Sequence, residues 1–441
     1  MPAVSGWTIV APSPDGHSAY VSSTTGDDRN DGRHPDRAKR TIAAGVELLR
    51  HGFPDRLLLR LGDAWKESLG HWRKSGRARH APMLISSYGD SYERPTLLTG
   101  AGGGIWTDGG GGSSASIDHV AIVGLHFWAD EYRGGGDCAG GKFLAPGENL
   151  LIEDCKFEGY STNVVFQGKL HDVRLRRSVV VDAHVVHGGI GEHPQGLYAY
   201  GVDGLLIEDC VFDHNGWSEN VAGAGADVFS HNIYIDNGNK AVVVRGNLIA
   251  DGSSHGLQLR CGGEVVNNLF VRNAISLLVG GGSEPERNGV LADVRRNVIL
   301  DGKDISPELP RGWGMVFGNI AAGRAARNVI GRSCGRQPYA IVLDAGSGIG
   351  VRDLELEENV LGGALEVQGD PEKLVNFRHF SSRILGDSHP ERSLATYQES
   401  MGRAATHEAF MAEARQQSRL TWREEYTADA VNRYLRQGFA A

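Results

Sequence analysis

Val244-Arg-Gly-Asn247-Leu-Ile249 is followed closely by Val265-Val-Asn-Asn268-Leu-Phe270. The same arrangement, with an apolar start, a small polar residue and an apolar end, occurs eight times. Its Cys, Ser or Asn residues are Cys155, Ser178, Cys210, Asn247, Asn268, Asn297, Asn328 and Asn359. Their spacings are 23, 32, 37, 21, 29, 31 and 31 residues. Repeats of this period indicate a solenoid whose units stack on one another. The pattern therefore predicts an all-β solenoid of about 10–12 coils.

A second short strand is predicted in each coil after the first one. Examples are Gly196-Leu-Tyr-Ala-Tyr200, Asn232-Ile-Tyr-Ile-Asp236 and Gly256-Leu-Gln-Leu-Arg260. Side chains of a strand alternate between its two faces. The apolar second and fourth positions should therefore point into the solenoid, and the third and fifth positions should point outward.

Composition narrows the class of protein. The chain has 441 residues with 62 Gly and 15 Pro, and glycine suits solenoid corners because it adopts positive φ easily. The net charge of -9 argues against nucleic acid as a partner. Cys155 and Cys210 hold the same repeat position two coils apart, about 9–10 Å, which is too far for a disulfide. We expect both to be buried small residues.

The two ends of the chain differ in pattern from the repeats. Residues 1–60 are predicted to be an N-terminal cap with a short helix starting near Thr41. Residues 61–384 are assigned to the solenoid. Residues 385–441, rich in Ala, Glu, Gln and Arg, are predicted to form a helical C-terminal cap, with one helix over 427–439.

No apolar stretch long enough to span a membrane is present, and the start lacks the pattern of a signal peptide. We nevertheless expect an extracellular or cell-surface location, no membrane partner, and a monomer or a homotrimer.

The entry loop Gly26-Asp-Asp28 to Thr41, the Asn column from Asn247 to Asn359 and the repeated second strand together resemble the right-handed parallel β-helix of the pectate-lyase-like superfamily. The resemblance covers roughly residues 20–370. It implies the fold and a role with polysaccharides, and it carries over no catalytic residue.

Outward positions on three consecutive coils are unusually polar. They are Tyr198, Tyr200, Tyr234, Asp236, Gln258 and Arg260. Such groups suit stacking on sugar rings and hydrogen bonding to hydroxyl and carboxylate groups. The alternative is ordinary exposed strand surface, where Tyr is common.

Histidines and long loops cluster near these coils. His231 and His255 begin adjacent second strands in one column and are candidates for acid–base catalysis, or for turn residues that bond the backbone. The inserted segments 183–195 and 213–230 bring His193 and Trp217 nearby, and loops of this kind often carry function. Trp217 is predicted either to stack on a sugar or to pack its own loop.

Two acidic pairs, Glu153-Asp154 and Glu208-Asp209, look like calcium ligands. The coil between them has Arg176-Arg177 at the same place. We therefore expect an inter-coil ladder of ion pairs in preference to a calcium site, and we expect no cofactor.

Three functions remain open. The first is a lyase that cleaves an acidic, uronate-containing glycan by β-elimination, with His231, His255, Tyr234 and Arg260 as catalytic residues. The second is a glycoside hydrolase, in which Asp236 is paired with Glu219, Glu192 or Asp213. The third is a non-catalytic glycan-binding β-helix, such as a phage tail or cell-surface protein.

Overall fold

The computed structural model describes residues 6–108, 116–187, 193–282, 284–385 and 392–439. Most of these residues form two parallel sheets that wind around one core. The larger sheet, called here the first sheet, consists of the strands Ser18–Val21, Arg56–Arg60, Gly70–His71, Met83–Tyr88, Ile105–Thr107, Val120–Val123, Ala139–Phe143, Gly147–Glu153, Thr162–Arg176, Gln195–Glu208, His231–Ile235, Lys240–Arg245, His255–Leu259, Gly263–Val266, Ile275–Gly280, Val290–Arg295, Trp313–Gly318, Ile320–Ala326, Tyr339–Asp344, Val351–Arg352, Leu354–Glu357, Ala364–Gln368, Leu374–Val375 and Arg378–Phe380. The second sheet consists of Ala64–Trp65, Thr96–Leu98, His126–Trp128, Lys156–Glu158, Val179–Val181, Val211–Asp213, Leu248–Ala250, Leu269–Val271, Val298–Leu300, Val329–Ile330, Val360–Leu361 and Arg383–Ile384.

Each coil follows the predicted order of strands. A strand of the first sheet leads to the small polar residue, a strand of two or three residues in the second sheet follows it, and the next strand returns to the first sheet. Strands of successive coils pair in parallel, for example Ile207 with Val244 and Phe212 with Ile249. The stacked apolar residues of all coils form one continuous core. The chain is therefore a parallel β-helix.

The repeated Cys, Ser or Asn position forms a buried hydrogen-bonded ladder. The backbone N–H of Asn268 donates to Oδ1 of Asn297 at 2.9 Å, and that of Asn297 donates to Oδ1 of Asn328 at 3.0 Å. The same contact links Cys210 to Asn247 and Asn328 to Asn359. Each side chain thus satisfies a buried amide of the preceding coil.

Each residue of the ladder directly follows a sharp turn. We expected glycine at such turns because glycine adopts positive φ easily. Gly246 does occupy that turn with φ of 67°. In other coils the equivalent residue is not glycine, and Asp209, Asn267 and Arg296 have φ of 53°, 55° and 58°. The ladder residue that follows each of them bonds the neighbouring coil, and these bonds offset the strain of the left-handed conformation.

The cysteines and acidic pairs behave as predicted. Cys155 and Cys210 are free and buried. Arg176 bridges Glu153 at 2.8 Å and Glu208 at 2.6 Å, in the coils on either side of it. The inter-coil ion-pair ladder is therefore present.

Helices cover the solenoid at its start and along one side. Helix α1 (Ile42–Glu47) has Thr41 as its N-cap, and it approaches the first coil closely, because a Cβ on Gly45 would lie 2.4 Å from a methyl group of Val21. Helices α2 (Leu394–Ser400), α3 (His407–Ala414) and α4 (Ala428–Gly438) confirm the helical C-terminal segment. Three short 3-10 helices span Pro35–Arg37, Pro371–Lys373 and Glu424–Tyr426. None of the helices among the described residues has the length and apolarity needed to cross a membrane.

The C-terminal helices pack along the outer face of the second sheet. Phe410 and Leu435 are buried against outward residues of that sheet such as Val179, Leu248 and Val298. Arg415 reaches Asp213 and Asp182 in earlier coils. This segment therefore runs back over the solenoid along the second sheet.

Candidate functional site

Strand register brings the predicted polar residues side by side. Tyr198 is paired with Tyr234, and Tyr234 with Gln258, on three neighbouring strands of the first sheet that belong to successive coils. His231 is paired in the same way with His255. Ile233 and Ile235 point into the core between them. The structure therefore brings these predicted residues side by side across three coils.

The tyrosine hydroxyl groups are held by charged partners. The Tyr198 hydroxyl donates to Oδ2 of Asp236 at 3.2 Å. The Tyr234 hydroxyl accepts from Nε of Arg260 at 3.1 Å. The two rings lie 5.4 Å apart edge to face. Both tyrosine hydroxyl groups of this surface thus have a charged side chain as a hydrogen-bond partner.

Gln195 orients His231. Its Nε2 donates to the carbonyl of Phe229, so its Oε1 is the acceptor for the imidazole Nδ1 of His231 at 2.8 Å. Nδ1 therefore carries the proton, and Nε2 carries a lone pair. No described residue hydrogen-bonds that Nε2 atom. The imidazole is 3% exposed and lies 5.1 Å from the Tyr234 ring.

His255 lies beside His231 with a ring distance of 4.8 Å. Its Nδ1 is 2.9 Å from the hydroxyl of Ser254. Burial lowers the pKa of His255 to about 3, assisted by the charges of Arg260 and Arg311. Burial also lowers the pKa of His231 well below its ordinary value, with smaller effects from His255 and Arg260. Both imidazoles are therefore neutral at physiological pH.

The tyrosines show the opposite behaviour. Burial raises the pKa of Tyr234, and Asp236 adds to the effect while Arg260 opposes it. Burial and Asp236 together raise the pKa of Tyr198. Both hydroxyl groups therefore keep their protons at neutral pH and are available as acids, beside histidines that are available as bases.

Other predicted binding residues lie at the rim or elsewhere. Tyr200 is an exposed residue within the strand Gln195–Glu208, next to Gly238. The ring of His193 lies 4.9 Å from the ring of the exposed Phe229 in a tilted arrangement, on the loop side of the histidine pair. Trp217 is not part of this surface. Its Nε1 donates to the carbonyl of Asp251, and its ring packs on His214 at 4.3 Å.

The expectation that Trp217 borders the Tyr198–Tyr234 surface is therefore corrected by its position. The inserted segment 213–230 connects the second-sheet strand Val211–Asp213 to the first-sheet strand His231–Ile235. Trp217 lies near the start of this segment, close to the second sheet. The contacts of Trp217 fit the other alternative, in which this side chain packs against its own loop. Two acids offered as partners of Asp236 are also placed elsewhere, since Asp213 lies on the second sheet with Arg415 and Glu219 lies 2.8 Å from His214. Glu192 lies outside the described residues.

The sequence reasoning missed several residues of this surface. Gln195 is the first residue of the strand that contains Tyr198, and it is in register with His231. Trp313 is two coils beyond His255 in the same column, and Arg311 lies over its ring at 4.8 Å. Following the histidine column one coil back and two coils forward would have found Gln195 and Trp313.

A second buried ladder, formed by the side chains of Asn215, Asn232 and Asn273, lies next to the histidine column. Nδ2 of Asn215 donates to Oδ1 of Asn232 at 2.9 Å, and Nδ2 of Asn232 donates to Oδ1 of Asn273 at 3.1 Å. Asn232 directly follows His231 in the chain. Among the described residues, no group of three or more His, Cys, Asp or Glu side chains is arranged to hold a metal ion.

A family model described as "Right handed beta helix region" matches residues 103–305. The matched stretch is a little under half of the chain, and it agrees with the parallel β-helix that the structure shows. The match includes the coils that contain Tyr198, Tyr234 and Arg260. It confirms the predicted fold and names no reaction.

No curated protein matches the sequence. Among solved structures, this β-helix is similar to a rhamnogalacturonan lyase with 13% identity and a TM-score of 0.48, over 71% of this chain and 87% of that one. It is also similar to a GH136 lacto-N-biosidase from Eubacterium ramulus with 12% identity and a TM-score of 0.42, over 84% and 68%. A third is the A-module of the mannuronan C-5 epimerase AlgE4 from Azotobacter vinelandii, with 12% identity and a TM-score of 0.43, over 75% and 91%. Their names denote three different reactions, and at these scores none of them is assigned to this chain.

Proposed function

We propose that this protein is a polysaccharide lyase that cleaves an acidic, uronate-containing glycan by β-elimination. The observation that carries the proposal is Arg260. This partly buried guanidinium forms no ion pair with any described residue, and its Nε is held by the Tyr234 hydroxyl. A partly buried cation without a counter-ion beside acid and base groups favours an anionic substrate. A carboxylate can form two parallel hydrogen bonds with such a group.

Neutralising the uronate carboxylate makes the proton on the adjacent carbon more acidic. A base must take that proton. His231 fits this role because Gln195 fixes its tautomer with the lone pair on Nε2, and its lowered pKa keeps it unprotonated. His255 stands one coil away as the second candidate.

Elimination also needs a proton for the leaving oxygen. Tyr234 keeps its proton at neutral pH, and its ring is next to both His231 and Arg260. In the proposed step the base removes the carbon-bound proton, a double bond forms, the glycosidic C–O bond breaks, and Tyr234 protonates the departing oxygen. No water is consumed, so the atoms balance without a further reactant.

The experiment is incubation with alginate, pectate and glycosaminoglycans while the ultraviolet absorbance of an unsaturated product is followed. We expect absorbance to rise with one of them and to be abolished by His231→Ala and by Tyr234→Phe. Full activity of both variants would contradict the assignment of base and acid. Binding without turnover for all three glycans would favour the non-catalytic alternative.

A second candidate is a glycoside hydrolase, and one contact favours it. The consecutive amides of Asn237 and Gly238 donate to Asp236 and to Glu286, at 2.8 and 3.0 Å. Two carboxyl groups are therefore held at one turn, as hydrolysis requires. Product mass separates the reactions, since hydrolysis adds one water and elimination does not. Loss of activity in both Asp236→Asn and Glu286→Gln, with hydrated products, would establish hydrolysis.

A further inference from the structure

A cavity of about 590 Å³ lies away from the Tyr234 surface, where the second sheet meets the C-terminal segment. Its lining includes Trp128, Tyr132, His184, Glu219 and Arg415. Arg415 closes one side, because it is bound to Asp182 at 3.0 Å and also to Asp213. The proposed reaction uses none of these residues.

His184 is the unusual member of this lining. It is 8% exposed, and its Nδ1 lies 3.0 Å from the carbonyl oxygen of Asp182, so Nδ1 carries the proton. Nε2 is then a lone-pair acceptor, and it is buried without a hydrogen-bond partner among the described residues. Buried acceptors are normally satisfied. His184 lines the cavity, and a ligand hydroxyl group that reaches Nε2 on binding would satisfy this acceptor.

Trp128 supplies a second, independent feature. It is 39% exposed on the outward face of its strand, in a part of the second sheet that the C-terminal helices do not cover. An exposed indole beside hydroxyl-binding groups suits the apolar face of a pyranose ring.

The charges of the lining restrict the ligand. Asp130, Glu158, Asp182 and Glu219 contribute four carboxylates, whereas the guanidinium groups of the lining come from Arg133 and Arg415. His214 lies between two of the carboxylates, 2.9 Å from Asp182 and 2.8 Å from Glu219, and these contacts raise its pKa in spite of its burial. The lining therefore disfavours an anionic sugar.

We infer that this cavity is a second saccharide-binding site, specific for neutral sugar residues, on the opposite sheet from the proposed catalytic groove. The site does not rest on the proposed reaction. It would hold a neutral portion of a glycan by stacking on Trp128 and by donation of a sugar hydroxyl to His184.

The test is isothermal titration of the full chain with cellotetraose, xylotetraose and β-1,4-linked galactotetraose, with trigalacturonate as the anionic comparison. We expect millimolar binding of at least one neutral tetrasaccharide. Trp128→Ala and His184→Phe should each weaken it about tenfold. Trp106→Ala is the matched control, because Trp106 is 38% exposed but belongs to the first sheet.

Three results would overturn the inference. They are no binding of any neutral tetrasaccharide, unchanged binding in Trp128→Ala, and equal weakening by Trp106→Ala. If His184→Phe does not fold, as judged by circular dichroism and thermal unfolding, the comparison of Trp128→Ala with Trp106→Ala decides alone.

Discussion

The outward row of side chains that contains Tyr234 changes character along the solenoid. In the central coils the row reads Tyr198, Tyr234 and Gln258, whereas in the later coils it reads Leu278, Val316 and Val342. The backbone pairing is parallel in both halves. The later half forms an apolar cluster that includes Ile275 and Trp313.

The difference shows that the scaffold does not need the polar half for its stability. Apolar residues at the same positions pack well, and burying imidazole and amide groups costs free energy unless their bonds are satisfied. The central coils bury His231, His255 and Gln258 all the same. Residues retained at such a cost are candidates for function.

The largest expected effect is on kcat, and it is tested by changing one hydroxyl group in each half of the row. Tyr234→Phe removes a hydroxyl from the polar half and should lower kcat by about 10²–10⁴-fold if Tyr234 is the proton donor. Val316→Thr adds a hydroxyl in the apolar half and should leave kcat unchanged. Steady-state kinetics on the active glycan measures both. Equal losses in the two variants would remove the distinction between the halves.

A smaller effect concerns the charge of Arg260. Arg260→Gln keeps a hydrogen-bonding side chain but removes the cation, and it should lower kcat/KM on a uronate polymer by about 100-fold. On the methyl-esterified polymer the substrate has no charge to lose, so the same substitution should change kcat/KM little. A similar loss on both polymers would show that Arg260 acts only through Tyr234.

The two buried Asn ladders give a comparison of stability with activity. Asn297→Ala leaves amide groups of neighbouring coils unsatisfied and should lower the free energy of unfolding by about 1–3 kcal/mol without changing kcat. Asn232→Ala should lower the free energy of unfolding by a similar amount. It should also lower activity, because Asn232 directly follows His231 in the chain and its bonds hold that strand in place. Denaturant unfolding and kinetics on both variants check this. Equal activity would show that the second ladder is purely structural.

The last expected effect is on stability as a function of pH. The folded-state pKa values of His231 and His255 lie below their unfolded values, so the unfolded chain binds more protons between those values. Stability is therefore complete above pH 6.5 and is lost as the pH falls, by at most about 1.4 kcal/mol per pH unit for each histidine. Denaturant unfolding between pH 7 and pH 5, in the wild type and in His231→Phe/His255→Phe, measures this. An identical slope in the two proteins would contradict the lowered pKa values.

Some positions in the structure could be predicted from the sequence, and others could not. The column from Asn247 to Asn359 predicted the coils and their alignment, because one small polar side chain per coil is needed at that turn. The alternation of side chains then placed Tyr198, Tyr234 and Gln258 in one row. The position of Trp217 was not predicted, because a long loop can leave either sheet and its direction depends on distant contacts with Asp251 and Lys303.

The sequence by itself determined the period, the inward and outward faces and the neighbours within each column, since these follow from local strand geometry. Only the tertiary structure decided that the C-terminal helices lie along the second sheet and that Gln195 fixes the tautomer of His231. It also decided that the Nε2 acceptor of His184 is buried with no hydrogen-bond partner in the part of the chain that the structure describes. Each of these depends on residues brought together from distant parts of the chain, and their burial and charge arise only after the coils have stacked.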